Sequence, residues 1–156
     1  MVSLLLSTSL LVSAGPKQKK VDNWIDASVK QKSELRASLV KANMPIMSAW
    51  IKAKQKAVPM SADLTGQDQL VLVTAAGPDG TDWDWGTWAN ARLIKADGSS
   101  VWLDELDPDY WVSGSNSIRK NTDLYGNPLL IGGKKYDHSV LCHANGVMVY
   151  NINKEY

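Results

Sequence analysis

The sequence predicts an all-β sandwich from about Ala62 onward, preceded by a helical segment rich in lysine. Short apolar runs alternate with turns that contain Gly, Asn, Asp and Pro, a pattern typical of sandwiches. Apolar residues make up 44% of the 156-residue chain and charged residues 21%, which is ordinary for a globular protein. The single cysteine, Cys142, excludes an intramolecular disulfide. Without a disulfide, the fold must be stabilised by burial of apolar side chains in its core.

Three predicted strands occupy the middle of the chain. Gln69–Thr74 contains the continuous apolar run Leu70–Val73, as expected of a buried strand. A polar and aromatic loop leads to a second strand at Trp88–Ile94. The Asp97-Gly98 turn then leads to a third at Val101–Leu103.

Two hairpins are predicted near the C-terminus. Leu129–Ile131 and Lys134–Tyr136 flank Gly132-Gly133, which reads as a tight turn. Ser139–Cys142 and Val147–Ile152 flank His143-Ala144-Asn145-Gly146. Asn-Gly is the strongest short hairpin signal, because both central residues of a type I′ turn need positive φ.

The first sixty residues divide into two predicted segments. Residues 1–14 are apolar and end in Val12-Ser13-Ala14, which predicts a signal peptide cleaved after Ala14 and a secreted or periplasmic protein. The run is shorter than the ~20 residues that span a bilayer. Residues 15–60 show a broken three-to-four period and predict helix, interrupted at Pro45 and Pro59. Within this segment, residues 46–53 are compatible with either helix or strand.

The charge distribution argues against a nucleic-acid-binding protein. Residues 1–60 carry ten Lys or Arg and three Asp or Glu, whereas residues 61–156 carry seven and thirteen. The predicted β region is therefore acidic, and a nucleic-acid-binding surface should be basic. A lysine-rich helix is more often a solvated face.

A family resemblance lies in the last predicted strands. An I-x-G-x-x-Y motif is followed by an apolar run, then H-A, then a strand ending in V-Y. These positions are Ile131, Gly133, Tyr136, His143, Ala144, Val149 and Tyr150. The segment resembles the NPCBM family of carbohydrate-binding modules, which accompany secreted glycoside hydrolases. The resemblance implies a galactose-binding-like jelly roll and non-catalytic binding of galactose-type glycans.

The resembling segments occur in an unusual order. Residues 63–95 are similar to the closing strands of such a module, and residues 101–156 are similar to its opening. Either the chain is truncated or one module is permuted and reduced. Truncation is favoured because Tyr156 follows a predicted strand without a turn. The sandwich, assigned to residues 61–156, is then expected to be incomplete, with its central strands beyond Tyr156.

The loop at residues 77–86 is the first candidate site. Asp79, Asp82 and Asp84 lie among glycines, and closely spaced carboxylates with flexible bends suit Ca²⁺. The spacing is not that of an EF-hand. The alternative is a solvated loop in which each Asp caps a turn. Because many galactose-binding-like folds hold a structural calcium ion, a calcium site and a solvated loop are about equally favoured here.

Tryptophans in the same loop are candidates for stacking on a sugar ring. In an extended chain Trp83 and Trp85 would share one face, whereas Trp88 is assigned to the core. His143 and Asn145, at the predicted turn, are the other candidate carbohydrate-binding residues. Indoles present an apolar face together with a polar N–H, which suits sugar recognition.

No catalytic constellation is evident in the sequence. A glycosidase needs two carboxyl groups at a fixed separation, and no such pair stands out, so the chain is not expected to be an enzyme by itself. The predicted function is non-catalytic carbohydrate binding, with a carbohydrate as the partner. One alternative is the N-terminal piece of a secreted glycoside hydrolase, such as an α-galactosidase, whose catalytic domain follows. Another is a protein-binding adhesion domain.

Overall fold

The computed structural model describes residues 2–6, 10–14 and 46–156. These residues form strands β1 to β13 and a single-turn 3-10 helix between β7 and β8. The strands are β1 Val2–Leu6, β2 Leu10–Ala14, β3 Ile46–Met47, β4 Val58–Ala62, β5 Gln69–Thr74, β6 Trp85–Ile94, β7 Ser100–Trp102, β8 Tyr110–Val112, β9 Ile118–Lys120, β10 Leu129–Ile131, β11 Lys134–Tyr136, β12 Ser139–His143 and β13 Gly146–Asn151, and the 3-10 helix is Leu103–Glu105.

The strands form two antiparallel sheets and one separate hairpin. The first sheet has the order β4-β1-β6-β12-β9, with β7 paired to β6. The second has the order β3-β2-β5-β13-β8. The prediction of an all-β sandwich is confirmed. In the described residues no helix is long and apolar enough to cross a membrane.

The main core contains side chains from both sheets. Trp88 and Leu93 of β6 are fully buried in one cluster with Leu72 of β5 and Tyr150 of β13. Apolar burial of this kind is the main favourable contribution to folding. The prediction that Trp88 belongs to the core is confirmed.

The hairpin β10–β11 lies outside the main core and forms a smaller one. Leu129, Ile131 and Tyr136 pack on Ala89 of β6, and Ile131 pairs with Lys134 across the turn. Gly132 and Gly133 take φ values of 56° and 81°, which glycine adopts readily. The hairpin predicted at these residues is confirmed.

The hairpin predicted around Asn145-Gly146 is wrong. β12 pairs with β6 and β9 in the first sheet, whereas β13 pairs with β5 and β8 in the second. The intervening residues therefore cross between sheets, and neither Asn145 nor Gly146 has a positive φ. Gly146 is needed for a different reason, because an added Cβ would collide with Cys142 Sγ.

The helix predicted within residues 15–60 is absent from the described part, and for residues 46–53, which the sequence left open between helix and strand, the structure has a short strand. Residues 46–60 contain β3, an irregular stretch and the start of β4. Pro59 lies inside β4, where its fixed φ suits extended chain and not a helix interior. Residues 15–45 of that prediction lie outside the described residues.

The segment predicted as a signal peptide includes two strands of the sandwich. β1 lies between β4 and β6, and β2 lies between β3 and β5. Cleavage after Ala14 stays a prediction, and it would remove one interior strand from each sheet.

Candidate carbohydrate-binding site

Two loops meet at one end of the sandwich, and their strands explain why. His143 pairs with Trp85 at the end of the β12–β6 ladder. Gly146 pairs with Thr74 at the end of the β13–β5 ladder. The loop that leads from β5 to β6 therefore faces the crossing between β12 and β13.

Hydrogen bonds hold these loops together. The Ala144 backbone N–H donates to the Asp84 carbonyl at 2.8 Å. The Asn145 side-chain oxygen accepts from the Ala76 N–H at 3.2 Å. Asn145 thus satisfies a backbone donor next to the buried Ala76, which is a structural role for one of the predicted binding residues.

His143 supports Trp85. The two rings meet edge to face, with centroids 4.8 Å apart and an interplanar angle of 86°. The backbone N–H of His143 donates to Ser113 Oγ at 3.2 Å, and the ring Nδ1 lies against the Ala144 carbonyl oxygen. The imidazole therefore contacts both the Trp85 indole and the Ala144 carbonyl oxygen.

Trp83 is the most exposed of the large apolar side chains here, at 78%. It takes φ 64°, and its carbonyl accepts from the Trp85 N–H at 3.0 Å. The prediction that Trp83 and Trp85 share one face of an extended chain is wrong, because the backbone turns at Trp83. Trp83 is exposed in this turn, while Trp85 begins β6 and is half-buried.

The three predicted calcium ligands have different surroundings. Asp84 Oδ2 accepts from the Gly77 N–H at 2.9 Å, and Asp79 Oδ1 also lies close to Gly77. Asp82 is exposed. Within the described residues no three His, Cys, Asp or Glu side chains are grouped to hold a metal ion. Calcium binding at this loop stays a prediction.

Two clefts flank Trp83. The first, here called the hairpin cleft, has a volume of about 520 Å³ and lies between the tip of β10–β11 and the chain before β4. Its walls are formed by Ile51–Gln55, Trp83–Trp85, Thr87 and Leu129–Gly133. The second, here called the aspartate cleft, has a volume of about 570 Å³. Its walls are formed by Trp50–Ala53, Ala75, Gly77–Asp79 and Asp82–Asp84.

The family is decided by the sequence comparison. The family model described as NPCBM/NEW2 domain matches residues 11–94 and 99–156, which is most of the chain. The chain belongs to the NPCBM/NEW2 domain family. This is a family of carbohydrate-binding modules, so the resemblance noted in the sequence is confirmed. Neither the curated proteins nor the solved structures give a significant match.

The two matched segments build one sandwich in this NPCBM/NEW2 domain. β5 and β6 come from the first segment, and β12 and β13 come from the second. β6 pairs with β12, and β5 pairs with β13. Strands that sequence similarity assigned to the closing and the opening of a module are therefore hydrogen-bonded neighbours.

Sequence reasoning identified part of the lining of these clefts in the NPCBM/NEW2 domain. Trp83 lines both clefts and Trp85 lines the hairpin cleft, whereas His143 and Asn145 are not among the residues lining either one. Lys52 and Lys54 line the hairpin cleft and were missed. Nothing local signals them, because they reach the site only when residues 51–55 pack beside the hairpin tip.

Cys142 precedes His143 in the sequence, but its side chain is buried in the core and not in the candidate site. Its side chain is in the main core of the NPCBM/NEW2 domain, and burial raises the pKa of its thiol to about 11. The Sγ lies 3.5 Å from the Val112 carbonyl oxygen. Because the thiolate is the reactive form, Cys142 is inert at neutral pH.

Proposed function

We propose that this domain binds galactose-type glycans, with Trp83 as the stacking surface between the two clefts. The observation that carries the proposal is the exposure of Trp83, 78%, at a position that lines both clefts. Large apolar side chains exposed beside a concave surface mark interaction sites. An indole presents a flat apolar face that matches the C–H face of a pyranose.

The surroundings of Trp83 supply polar partners for sugar hydroxyls. Asp79 and Asp82 line the aspartate cleft and are exposed, so their carboxylates can accept hydroxyl hydrogens. Asp84 is held by the Gly77 N–H. Trp85 is held by His143 and contributes a second indole to the hairpin cleft. The site combines a stacking ring with carboxylate acceptors, which is the composition expected of a sugar-binding surface.

The test is the Trp83→Ala variant, titrated with galactosides by calorimetry. Loss of one stacked ring should weaken binding by about 1–3 kcal/mol, by analogy with stacking of bases on aromatic side chains. Folding should be unaffected, because substitutions of exposed side chains change stability by about 0.5 kcal/mol or less. Trp111→Ala is the matched control, since Trp111 is also exposed, at 39%, but lies on β8. Equal losses in the two variants would overturn the proposal.

We also propose that the domain acts as an accessory module of a secreted glycoside hydrolase. Membership of the NPCBM/NEW2 domain family supports this. Sequencing the gene beyond Tyr156 tests it, with an in-frame catalytic domain as the expected result. A reading frame that contains only further binding domains would contradict it.

A further inference from the structure

The hairpin cleft is basic. Lys52 and Lys54 both line it, and both are exposed. Among the described residues, the one carboxylate in its lining belongs to Asp84, and one oxygen of that group already accepts from the Gly77 N–H. A ligand in this cleft therefore meets two ammonium groups and one carboxylate that is engaged elsewhere.

These lysines differ from others in how they are paired. Lys95 pairs with Glu155 at 2.7 Å and Lys135 with Asp137 at 2.6 Å. Across residues 46–156 and the two N-terminal strands, no carboxylate lies within ion-pair distance of Lys52 or Lys54. An anionic ligand would therefore be attracted to these two ammonium groups without having to displace a carboxylate of the described residues.

The neighbouring aspartate cleft has the opposite charge. Asp79, Asp82 and Asp84 line it together with Lys52. The sign of the local charge thus changes across Trp83, which lies between the clefts. A ligand with an acidic group would be favoured on the lysine side of Trp83 and repelled on the aspartate side.

The backbone keeps the lysine segment beside the hairpin. Gly132 lies against Lys56, and an added Cβ would come within 3.1 Å of the Lys56 Cα. The Lys52 N–H donates to Gln55 Oε1 at 2.8 Å, which closes a local turn. The two lysines are therefore carried by a segment in direct contact with the opposite wall of the cleft.

We propose that the hairpin cleft takes an anionic sugar, a galactose-type residue that bears a carboxylate or a sulfate. This inference rests on the proposed function, because it assigns the charge of the ligand at that same site. Lysine ammonium groups are compact point charges without the planar geometry of arginine. They therefore accept either anion, and the shared chemistry is the negative charge.

The test compares three ligands on the full chain by calorimetry: a neutral digalactoside, a digalacturonate and a sulfated digalactoside. We expect at least one anionic ligand to bind about two- to thirtyfold more tightly than the neutral one, which is the range for two exposed charge pairs. The preference should vanish in 1 M salt, where the screening length falls to about 3 Å. The anionic ligand that shows this preference identifies whether the acidic group of the sugar is a carboxylate or a sulfate.

Variants assign the preference to the two lysines. Lys52→Met/Lys54→Met should bind the anionic and the neutral ligand alike. Lys95→Met/Lys154→Met removes the same charge away from the cleft and should keep the preference. If the unmodified chain binds neutral and anionic sugars equally, the charge assignment is overturned and the proposed function stands. If it binds none of the three, the proposed function itself fails.

Discussion

Asp84 should be the structural centre of the site, and its replacement by alanine should destabilise the whole domain. Its carboxylate accepts from the Gly77 N–H at 2.9 Å. Its carbonyl accepts from the Ala144 N–H at 2.8 Å. One residue therefore connects the loop after β5, the start of β6 and the crossing from β12 to β13. Asp84→Ala removes the first of these bonds and leaves the second.

The magnitude follows from the kind of bond lost. Hydrogen bonds to charged groups contribute about 1.5–3 kcal/mol to stability, and neutral ones about 0.5–1.5 kcal/mol. Asp84 is half-buried, so water replaces the lost acceptor in part. We expect Asp84→Ala to lower the free energy of unfolding by about 1.5 kcal/mol. Asp84→Asn keeps an acceptor without the charge and should cost less than half of that.

Urea unfolding followed by tryptophan fluorescence measures these differences. Asp82→Ala is the matched control, because Asp82 lies in the same loop and is exposed. It should stay within about 0.5 kcal/mol of the unmodified chain. If Asp84→Ala unfolds at the same urea concentration as Asp82→Ala, the hydrogen bond to Gly77 does not organise the site.

Three further predictions concern the buried thiol, calcium and the N-terminus. Burial raises the pKa of Cys142 from 9.0 to about 11, so above pH 9 the unfolded thiol ionises first and stability should fall by at most about 1.4 kcal/mol per pH unit. The Cys142→Ala variant should show a smaller pH slope in urea unfolding between pH 9 and 10.5, and an identical slope would contradict this. If calcium binds at Asp79, Asp82 and Asp84, the midpoint temperature of unfolding should rise with added CaCl₂ and fall with EDTA. A constant midpoint would argue against calcium binding. Export with cleavage after Ala14 predicts that mass spectrometry of the secreted protein finds Gly15 as its first residue, whereas a retained Met1 would refute cleavage.

The parts of the fold that sequence predicted are those with local signals. β5 was predicted with both of its ends, because the apolar run Leu70–Val73 is flanked by Gln69 and Thr74 and then by polar turns. The β10–β11 hairpin was predicted because its two glycines and its register lie within eight residues. In both cases the residues that decide the structure are close together in the chain.

The crossing from β12 to β13 could not be predicted in the same way. Asn145-Gly146 indicates a turn, but the choice of strand partners depends on distant residues. β12 pairs with β6, about fifty residues earlier in the chain, and its first four residues are all buried. Burial against two sheets outweighed the local preference for a hairpin.

In the candidate site, too, the features with local signals were predicted and those that depend on distant residues were not. The exposure of Trp83 and the burial of Trp88 follow from their positions in a polar loop and in a strand. The hairpin cleft requires residues 51–55 and 129–133 to lie side by side, and no periodicity or spacing encodes that contact. Contact between His143 and a ligand stays a prediction; in the structure its ring meets Trp85 edge to face and its Nδ1 lies against the Ala144 carbonyl oxygen.

The most direct test of sugar binding at Trp83 uses the indole N–H signals of the seven tryptophans. A proton–nitrogen NMR spectrum of the labelled chain is recorded during titration with a galactose-type disaccharide, and signals are assigned by single Trp→Phe variants. The Trp83 and Trp85 signals should shift with increasing ligand, while those of Trp88, which is in the core, and Trp111, on β8, stay in place. Shifts confined to Trp102 or Trp111, with Trp83 unchanged at saturation, would contradict a binding site at the two clefts.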